Sequence, residues 1–243
     1  MKTILLKLYG PLQSWGTDSF FEIRRTDLYP SKSAIIGIIC ACYGYRREDF
    51  FDLEKFNSLK ISVRIDQQGN LNRDYHIATY FKTTNGKDKA ITNVTNRYYL
   101  EDAIFVISIS HEDDRFINEI FSRLKNPYFQ PYMGRKSCPV PGDFIIGMTN
   151  KDGIESLKNY PWLARPRYKY IHSNKLDCYT DYYVENNSFY NYRRDKAISF
   201  SQKERKHQYR NEFHLIIEAK DLENLSKKEF MCPEHDAYSA IEE

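Results

Sequence analysis

The pattern of apolar and polar positions over the first 66 residues predicts a strand, a buried helix and a second strand. The stretch TILLKLYG (3–10) is mostly apolar and stops at Gly10 and Pro11, which is typical of a strand. SKSAIIGIICACYG (31–44) begins with a serine, is apolar all round and ends at Gly44, which predicts a buried helix with an N-cap and a glycine stop. LKISVRID (59–66) alternates, which predicts a half-buried strand.

The same order recurs between residues 103 and 149. AIFVISIS (103–110) and DFIIGMT (143–149) are typical of strands, and the segment HEDDRFINEIFSRLKNP between them has an apolar stripe at helical spacing. Two β-α-β units in series predict an α+β fold with a ferredoxin-like βαββαβ domain over residues 1–150. RRM domains share this scaffold, and their open sheet face often stacks on RNA bases.

Between the two units, the segment 76–102 predicts a protruding β-hairpin. Asn85-Gly86 is a strong turn signal, and the flanking FKTT and KDKAIT offer almost no apolar face. Because a hairpin that buries little is marginal in water, we expect this thumb-like arm, at about 78–99, to be steadied by a partner. Its cations favour a polyanion: Lys82, Lys87, Lys89 and Arg97. A surface hairpin without a partner is the alternative.

After residue 150 the pattern changes to short segments separated by Asn- and Ser-rich turns. RPRYKYIHS, LDCYTDYYVEN, DKAISFSQ and EFHLIIEAK predict further strands. We therefore expect a smaller β-rich region at 151–220, packed on the first domain. Residues 221–243 form an acidic tail, predicted to be a short helix or disordered.

The charge is spread unevenly over the chain. The net charge is +3, but residues 221–243 carry seven acids and two lysines. The preceding 220 residues carry 34 cations and 26 acids, a net charge of +8. A basic body with 20 tyrosines suits a polyanion that has flat groups to stack on, although an ordinary solvated surface would also explain the charge alone.

The five cysteines lack the spacing of a disulfide framework or a zinc site. We therefore expect reduced thiols, no structural zinc and a cytosolic protein. The N-terminus lacks a signal-peptide pattern, and no apolar run is long enough to span a bilayer, so no membrane partner is expected. No cofactor or metal is predicted either, because the acids of HEDD (111–114) are explained by the dipole of the following helix.

Two glycine-containing loops favour binding of phosphate. YGPLQSWG (9–16) and YMGRKS (132–137) combine a glycine with polar and aromatic residues, so backbone N–H groups and side-chain cations can approach an anion. The second lies within NPYFQPYMGRKSCPVPG (126–142), where four prolines predict a stiff loop. RRTDLYPSK (24–32) adds further cations, whereas Arg46 and Arg47 are explained by the helix end that they follow.

A catalytic alternative also fits the residues. A metal-free ribonuclease needs a general base and a general acid near the scissile phosphate, and Tyr75, His76 and Lys82 could supply them. His207 in KERKHQYR is a second candidate. A histidine in a basic, aromatic setting is more often a contact residue than a catalyst.

Four segments together resemble one known family. LYGPLQSWG, YPSKSAIIGIICACYG, RDYH (73–76) and PYMGRKSCPVPG are similar, in this order, to the Cas-five (CasD-type) family of the RAMP superfamily, subunits of the type I-E CRISPR surveillance complex Cascade. The similarity covers residues 8–142 and is loose beyond them.

The resemblance implies a non-catalytic subunit that binds the 5′ handle of CRISPR RNA and caps one end of the complex, in antiviral defence. It implies a thumb hairpin that contacts the RNA and the CasC-type backbone subunit, a CasA-type large subunit as a further partner, and DNA only through the complex. The alternatives are a metal-independent endoribonuclease that processes CRISPR precursor RNA and a subunit that binds only protein.

These arguments together predict one RNA-binding surface and no catalytic residues. Its predicted residues are Gln13, Ser14, Trp15, Arg24, Arg25, Lys32, Ser33, Tyr75, His76, Lys82, Lys87, Lys89, Arg97, Gly134, Arg135, Lys136 and Ser137.

Overall fold

A computed structural model describes residues 1–16, 22–49, 51–84, 87–184, 190–201 and 203–220, without the side chains of residues 84–89. The predictions for residues 221–243, for the hairpin tip and for the side chains of Lys87 and Lys89 lie outside the described residues. The strands are β1 (Lys2–Tyr9), β2 (Leu12–Gln13), β3 (Ile23–Arg24), β4 (Lys60–Gln67), β5 (Asn70–Thr84), β6 (Lys87–Glu101), β7 (Ile104–His111), β8 (Ile145–Thr149), β9 (Lys175–Thr180), β10 (Tyr190–Ser199) and β11 (Lys206–Glu218). The helices are α1 (Lys32–Tyr43), α2 (Leu53–Asn57), α3 (Asp114–Lys125), α4 (Gly153–Asn159) and α5 (Pro166–Ile171).

The predicted mixture of helix and antiparallel sheet is confirmed. Seven strands form one sheet in the order β10-β11-β9-β4-β7-β1-β8, and every neighbouring pair in it is antiparallel. Helix α1 follows β1, and α3 lies between β7 and β8. None of the helices in the described part of the chain has both the length and the apolar character that a bilayer-spanning segment requires.

Both faces of the central strands are buried, which explains why TILLKLYG is mostly apolar rather than alternating. Ile4, Leu6 and Leu8 of β1 pack in the main core with residues of α1 and α3. Leu5 points to the other face and packs with Ile154 and Leu157 of α4. Strand β4 is covered on both sides as well, so the predicted half-buried strand at LKISVRID was wrong: its second face buries Ser62 and the ion pair of Arg64 with Asp66.

Helix α1 has the boundaries that its sequence predicts. Ser31 is the N-cap, and its side chain accepts a hydrogen bond from the Ala34 N–H. Gly44 follows the helix with a φ of 88°, in the left-handed region, and its N–H donates to Ala41 O. A Cβ atom at Gly44 would lie 2.8 Å from the ring of Tyr128, so the site has no room for a larger residue.

The strands after residue 150 extend the same sheet. β9 pairs with β4, β11 with β9, and β10 with β11 at the outer edge. The prediction of a strand at RPRYKYIHS was wrong, because Pro166–Ile171 form α5. Pro166 occupies the first helical turn, where its missing N–H costs nothing, and Tyr168 stacks on His172 one turn later at 4.0 Å.

The hairpin of β5 and β6 is longer than the predicted arm. Its strands have 15 residues each, and they pair continuously from Asn70↔Glu101 to Thr84↔Lys87, a length of about 50 Å. β6 also pairs with β2 and, in parallel, with β3. Beyond the flanks FKTT and KDKAIT, the longer hairpin does have an apolar side, because Tyr75, Ile77 and Phe81 lie exposed on the same side of β5.

Candidate nucleic-acid interface

The loop 126–142 is folded back on itself and crosses the segment after β2. Met133 N donates to Cys138 O at 2.7 Å, and Cys138 N donates to Arg135 O at 2.8 Å. Gly134 has a φ of 81°, and a Cβ atom there would lie 1.5 Å from Ser14 O. Only glycine permits this close crossing, which fixes the position of the cations that follow it.

Arg135 joins the loop to the base of the hairpin. Its guanidinium lies 4.2 Å from the centre of the Tyr99 ring on β6, a cation–π contact, and its NH2 group donates to Arg24 O at 3.1 Å. Arg24 in turn lies opposite Arg97 in the parallel pairing of β3 with β6. The structure thus brings together three cations, Arg24, Arg97 and Arg135, from three separate parts of the sequence.

The remaining hairpin residues lie on the same pair of strands but farther out. Lys82 is paired with Lys89 in the backbone register, and Lys89 is eight positions along β6 from Arg97, about 27 Å away. Lys87, opposite Thr84, is close to the tip. The backbone positions of the four predicted hairpin cations, Lys82, Lys87, Lys89 and Arg97, therefore follow one continuous pair of strands.

Three predicted residues before β3 are buried, although Ser14 and Trp15 lie at the edge of the cleft described below. Trp15 is 1% exposed, and its Nε1–H donates to Gln13 Oε1 at 3.0 Å. The Gln13 amide donates to Ala103 O at 2.7 Å, and Ser14 Oγ donates to Tyr98 O at 3.3 Å. These side chains hold the segment after β2 against β6, so their observed contacts are structural.

Lys32 is also placed inside the protein, which corrects its prediction as a surface contact. Its ammonium donates to Asn57 O at 2.7 Å and to Leu59 O at 2.8 Å, and forms an ion pair with Asp181. A lysine that is buried with these partners cannot reach a strand in solvent. Ser33 is likewise buried, with its Oγ 3.2 Å from Ser31 Oγ, although it lines the edge of the cleft described next.

A cleft of about 770 Å³ lies between α1, the loop 126–142 and the connection from β10 to β11. Its floor is one side of α1, where Ala34, Gly37 and Ala41 lie at helical spacing. No acidic side chain of the described residues lines it. The cations that line it are Arg24, Arg25, Arg46, Arg47, Arg135, Lys136 and Arg205. Ser137 is exposed next to Lys136 but does not line the cleft.

Three of these cations were missed by the sequence argument. Arg46 and Arg47 had an adequate explanation in the helix dipole, and Arg205 stood in a basic segment that drew notice only for His207. Burial, together with the neighbouring charge of Arg47, lowers the pKa of Arg205. Arg47 and Arg205 are 158 residues apart, and no local sequence pattern predicts that they lie close together.

The cleft also has aromatic walls but no activated thiol. Tyr45 stacks on Phe51 with ring centres 4.5 Å apart, and Phe129 and Phe200 line the same space. Burial raises the pKa of the Cys40 thiol at the floor to about 12, so this cysteine is protonated and unreactive. A concave, cationic and aromatic surface of this kind suits phosphates and bases of a nucleic acid.

The residues of the catalytic alternative do not converge on one site. Tyr75 and His76 are successive residues of β5 and so point to opposite faces of the hairpin. Lys82 is on the same face as His76 but six positions away, about 20 Å along the strand. A general base and a general acid must both reach the same scissile phosphodiester, and side chains on opposite faces or about 20 Å apart do not.

The chain is similar to proteins of known family. The model of the family described as CRISPR-associated protein (Cas_Cas5) matches residues 3–214. The chain belongs to this Cas5 family. The match covers both β-α-β units, the hairpin and most of β11, so the C-terminal strands of this Cas5 chain, which resembled the family only loosely in sequence, belong to the family fold as well.

Individual relatives of this Cas5 chain come from CRISPR systems. It is 30% identical over 170 residues to the CRISPR system Cascade subunit CasD of Escherichia coli (strain K12), covering 65% of this chain and 76% of CasD. A chain of a solved CRISPR RNA-guided surveillance complex superposes with a TM-score of 0.74 at 28% identity, over 89% of this chain and 90% of that one. A crystal structure of a Cas protein gives 0.60 at 29% identity, over 87% and 94%. The resemblance to the CasD-type family is thereby confirmed.

Proposed function

We propose that this Cas5-family chain is a non-catalytic subunit of a type I-E Cascade complex that binds the 5′ handle of CRISPR RNA and caps one end of the complex. The observation that carries the proposal is the cleft, which seven cations and no acidic side chain of the described residues line. A hooked single strand can place its phosphates against these cations and its bases against the aromatic walls. Membership of the Cas5 family supports RNA from a CRISPR locus as the ligand.

The body of the chain acts, in this proposal, as a ferredoxin-like scaffold with a thumb. The order β8-β1-β7-β4 of the four core strands, with α1 and α3 on one face, supports this description. The β5–β6 hairpin is the thumb that reaches the RNA and the CasC-type backbone subunit. Its exposed Tyr75, Ile77 and Phe81 support a protein neighbour, because apolar side chains gain by burial.

Other parts of the proposal come from the family rather than from the geometry. They are a CasA-type large subunit as a further neighbour, DNA reached only through the complex, and a role in antiviral defence. The cytosolic location that the cysteine pattern predicts stays a prediction.

The proposal is tested by removing two cations of the loop 126–142. We expect Arg135→Gln with Lys136→Gln to weaken binding of CRISPR RNA by at least about tenfold, because phosphate contacts supply much of the affinity. The measurement is fluorescence anisotropy of full-length protein with the labelled 5′ end of the RNA, over a range of salt concentrations. A plot of log affinity against log salt has a negative slope, and each lost phosphate contact makes that slope shallower by about 0.7 for a single strand.

The matched control is Arg115→Gln, because Arg115 is an exposed arginine of α3 outside the cleft. It should leave affinity, slope and melting temperature unchanged, whereas the double variant should melt slightly lower, because Arg135 contacts Tyr99 and Arg24 O. Normal RNA binding by the Arg135 and Lys136 double variant would remove the cleft from the proposal. Cleavage of a repeat-hairpin RNA by the purified chain in EDTA, abolished by His76→Ala, would favour the endoribonuclease alternative.

A further inference from the structure

Two turns that are distant in sequence meet beyond the C-terminal end of α1. The turn after α1 supplies Arg46 and Arg47, and the connection from β10 to β11 supplies Arg205. Ser201 Oγ donates a hydrogen bond to Glu48 Oε2 at 3.0 Å, which holds the two turns together. We call Arg46, Arg47 and Arg205 the arginine end of the cleft.

Two arginines of the arginine end repel each other. Burial, together with the charge of nearby Arg47, lowers the pKa of the Arg205 side chain. Glu48 and Asp49 lie in the same turn as Arg46 and Arg47, where Asp49 accepts from the Arg46 N–H at 2.7 Å, but no acidic side chain of the described residues lines the cleft itself. The Arg205 Nε–H donates to His207 Nε2 at 3.1 Å, a contact that orients the guanidinium. An anion between the two arginines would remove the repulsion.

We infer that the arginine end binds a second phosphate group of the same single-stranded nucleic acid whose first phosphates contact Arg135 and Lys136. The inference rests on the proposed function and assigns it a second contact. Guanidinium groups match phosphate oxygens in pairs, which makes arginine better suited than lysine to such a site. The ligand class is the phosphodiester of a single strand of RNA.

The floor of the cleft sets the minimum length of the strand. Ala34 and Ala41, which line it, are seven residues apart on α1, or about 10 Å along the helix axis. Successive nucleotides of a stacked strand rise by about 3.4 Å, so a strand that runs along this floor places several nucleotides on it. The strand therefore crosses α1 with one or more nucleotides over Gly37 and beside the Tyr45–Phe51 stack.

The test is the double substitution Arg47→Gln with Arg205→Gln in the full chain, measured by the same RNA anisotropy assay. Loss of two phosphate contacts should make the slope of log affinity against log salt shallower by about 1.4. It should also reduce affinity about tenfold at moderate salt. The melting temperature of the RNA-free protein should stay the same or rise, because a repulsive pair is removed. Arg205→Lys, which keeps the charge, should recover part of the slope, and Arg115→Gln should change nothing.

The outcomes separate this inference from the proposed function. If the Arg47 and Arg205 variant keeps the parent's slope while the Arg135 and Lys136 variant loses binding, the inference is wrong and the proposed function stands. If both variants bind RNA normally, the inference and the proposed function are both wrong. A loss of affinity with an unchanged slope and a lower melting temperature would assign a structural role to the two arginines, and that too would overturn the inference.

Discussion

Gly134 shows how a single residue positions the interface. The loop 126–142 passes so close to the segment after β2 that Ser14 O occupies the space of a Cβ atom, and the φ of Gly134 is positive. A side chain at this position would separate the two segments and move Arg135 away from Tyr99 and Arg24. The geometry of the cationic cluster therefore depends on a residue that itself has no charge.

We expect Gly134→Ala to destabilise the protein by about 2–5 kcal/mol, through left-handed backbone strain and overpacking. Urea unfolding measures this change. Gly142→Ala in the same loop is the matched control, because its Cβ atom meets nothing within 4 Å, and it should be close to neutral. Equal stability of the two variants would contradict the described crossing.

At the scale of the element, α1 combines a structural side and an open side. Ile35, Ile36 and Ile39 are fully buried in the main core, whereas Gly37 faces the cleft. A glycine inside a helix is unfavourable by about 1 kcal/mol relative to alanine. A Cβ atom at Gly37 would meet nothing within 4 Å, so packing does not require glycine there.

This leads to opposite effects for two substitutions at one position. Gly37→Ala should raise stability by about 1 kcal/mol and leave RNA binding intact. Gly37→Phe should fold but fill the cleft, and so weaken RNA binding several-fold. Thermal unfolding and anisotropy measure the two effects, and unimpaired binding by Gly37→Phe would show that the strand does not lie over α1.

Elements also differ in how far the sequence predicts them. The helix at 31–44 was predicted with its cap and its glycine stop because both signals are local. The strand predicted at RPRYKYIHS was wrong, because six residues are too few to distinguish the two-residue period of a strand from the 3.6-residue period of a helix. Contacts of Tyr168 with Trp162 and Gln68 stabilise the helix α5 instead. The secondary structure of such a short segment depends on the residues against which it packs.

At the scale of the whole molecule, one buried ion pair and one buried hydrogen bond join the C-terminal part of the sheet to the first helix. The side chains of Lys32 and Asp181 are 8% and 6% exposed, and Asp181 Oδ1 also accepts the Ile61 N–H at 2.9 Å. The Lys32 N–H in turn donates to Asp195 of β10 at 2.8 Å. The start of α1 is thus tied to the strands that extend the sheet, and with it one wall of the cleft.

We expect Lys32→Met to cost about 3–5 kcal/mol, because it leaves Asp181 buried without its partner. The double variant Lys32→Met with Asp181→Asn should cost less than Lys32→Met alone, since the orphaned charge is gone and the asparagine oxygen can still accept from Ile61. A double-mutant cycle in urea measures this coupling. Simple additivity of the two single effects would argue against a buried pair.

The sequence by itself determined the strands and helices of the two β-α-β units, the caps of α1 and the family, since all of these depend on neighbouring residues or on short motifs. Three of its predicted RNA-binding residues, Arg24, Arg97 and Arg135, lie together in the structure. Only the tertiary structure decided that Lys32 and Trp15 are buried and that Arg46, Arg47 and Arg205 line the cleft. Whether a side chain is buried, and which side chains meet at one site, depends on which distant segments of the chain pack together. The chemistry of a single residue does not specify this packing.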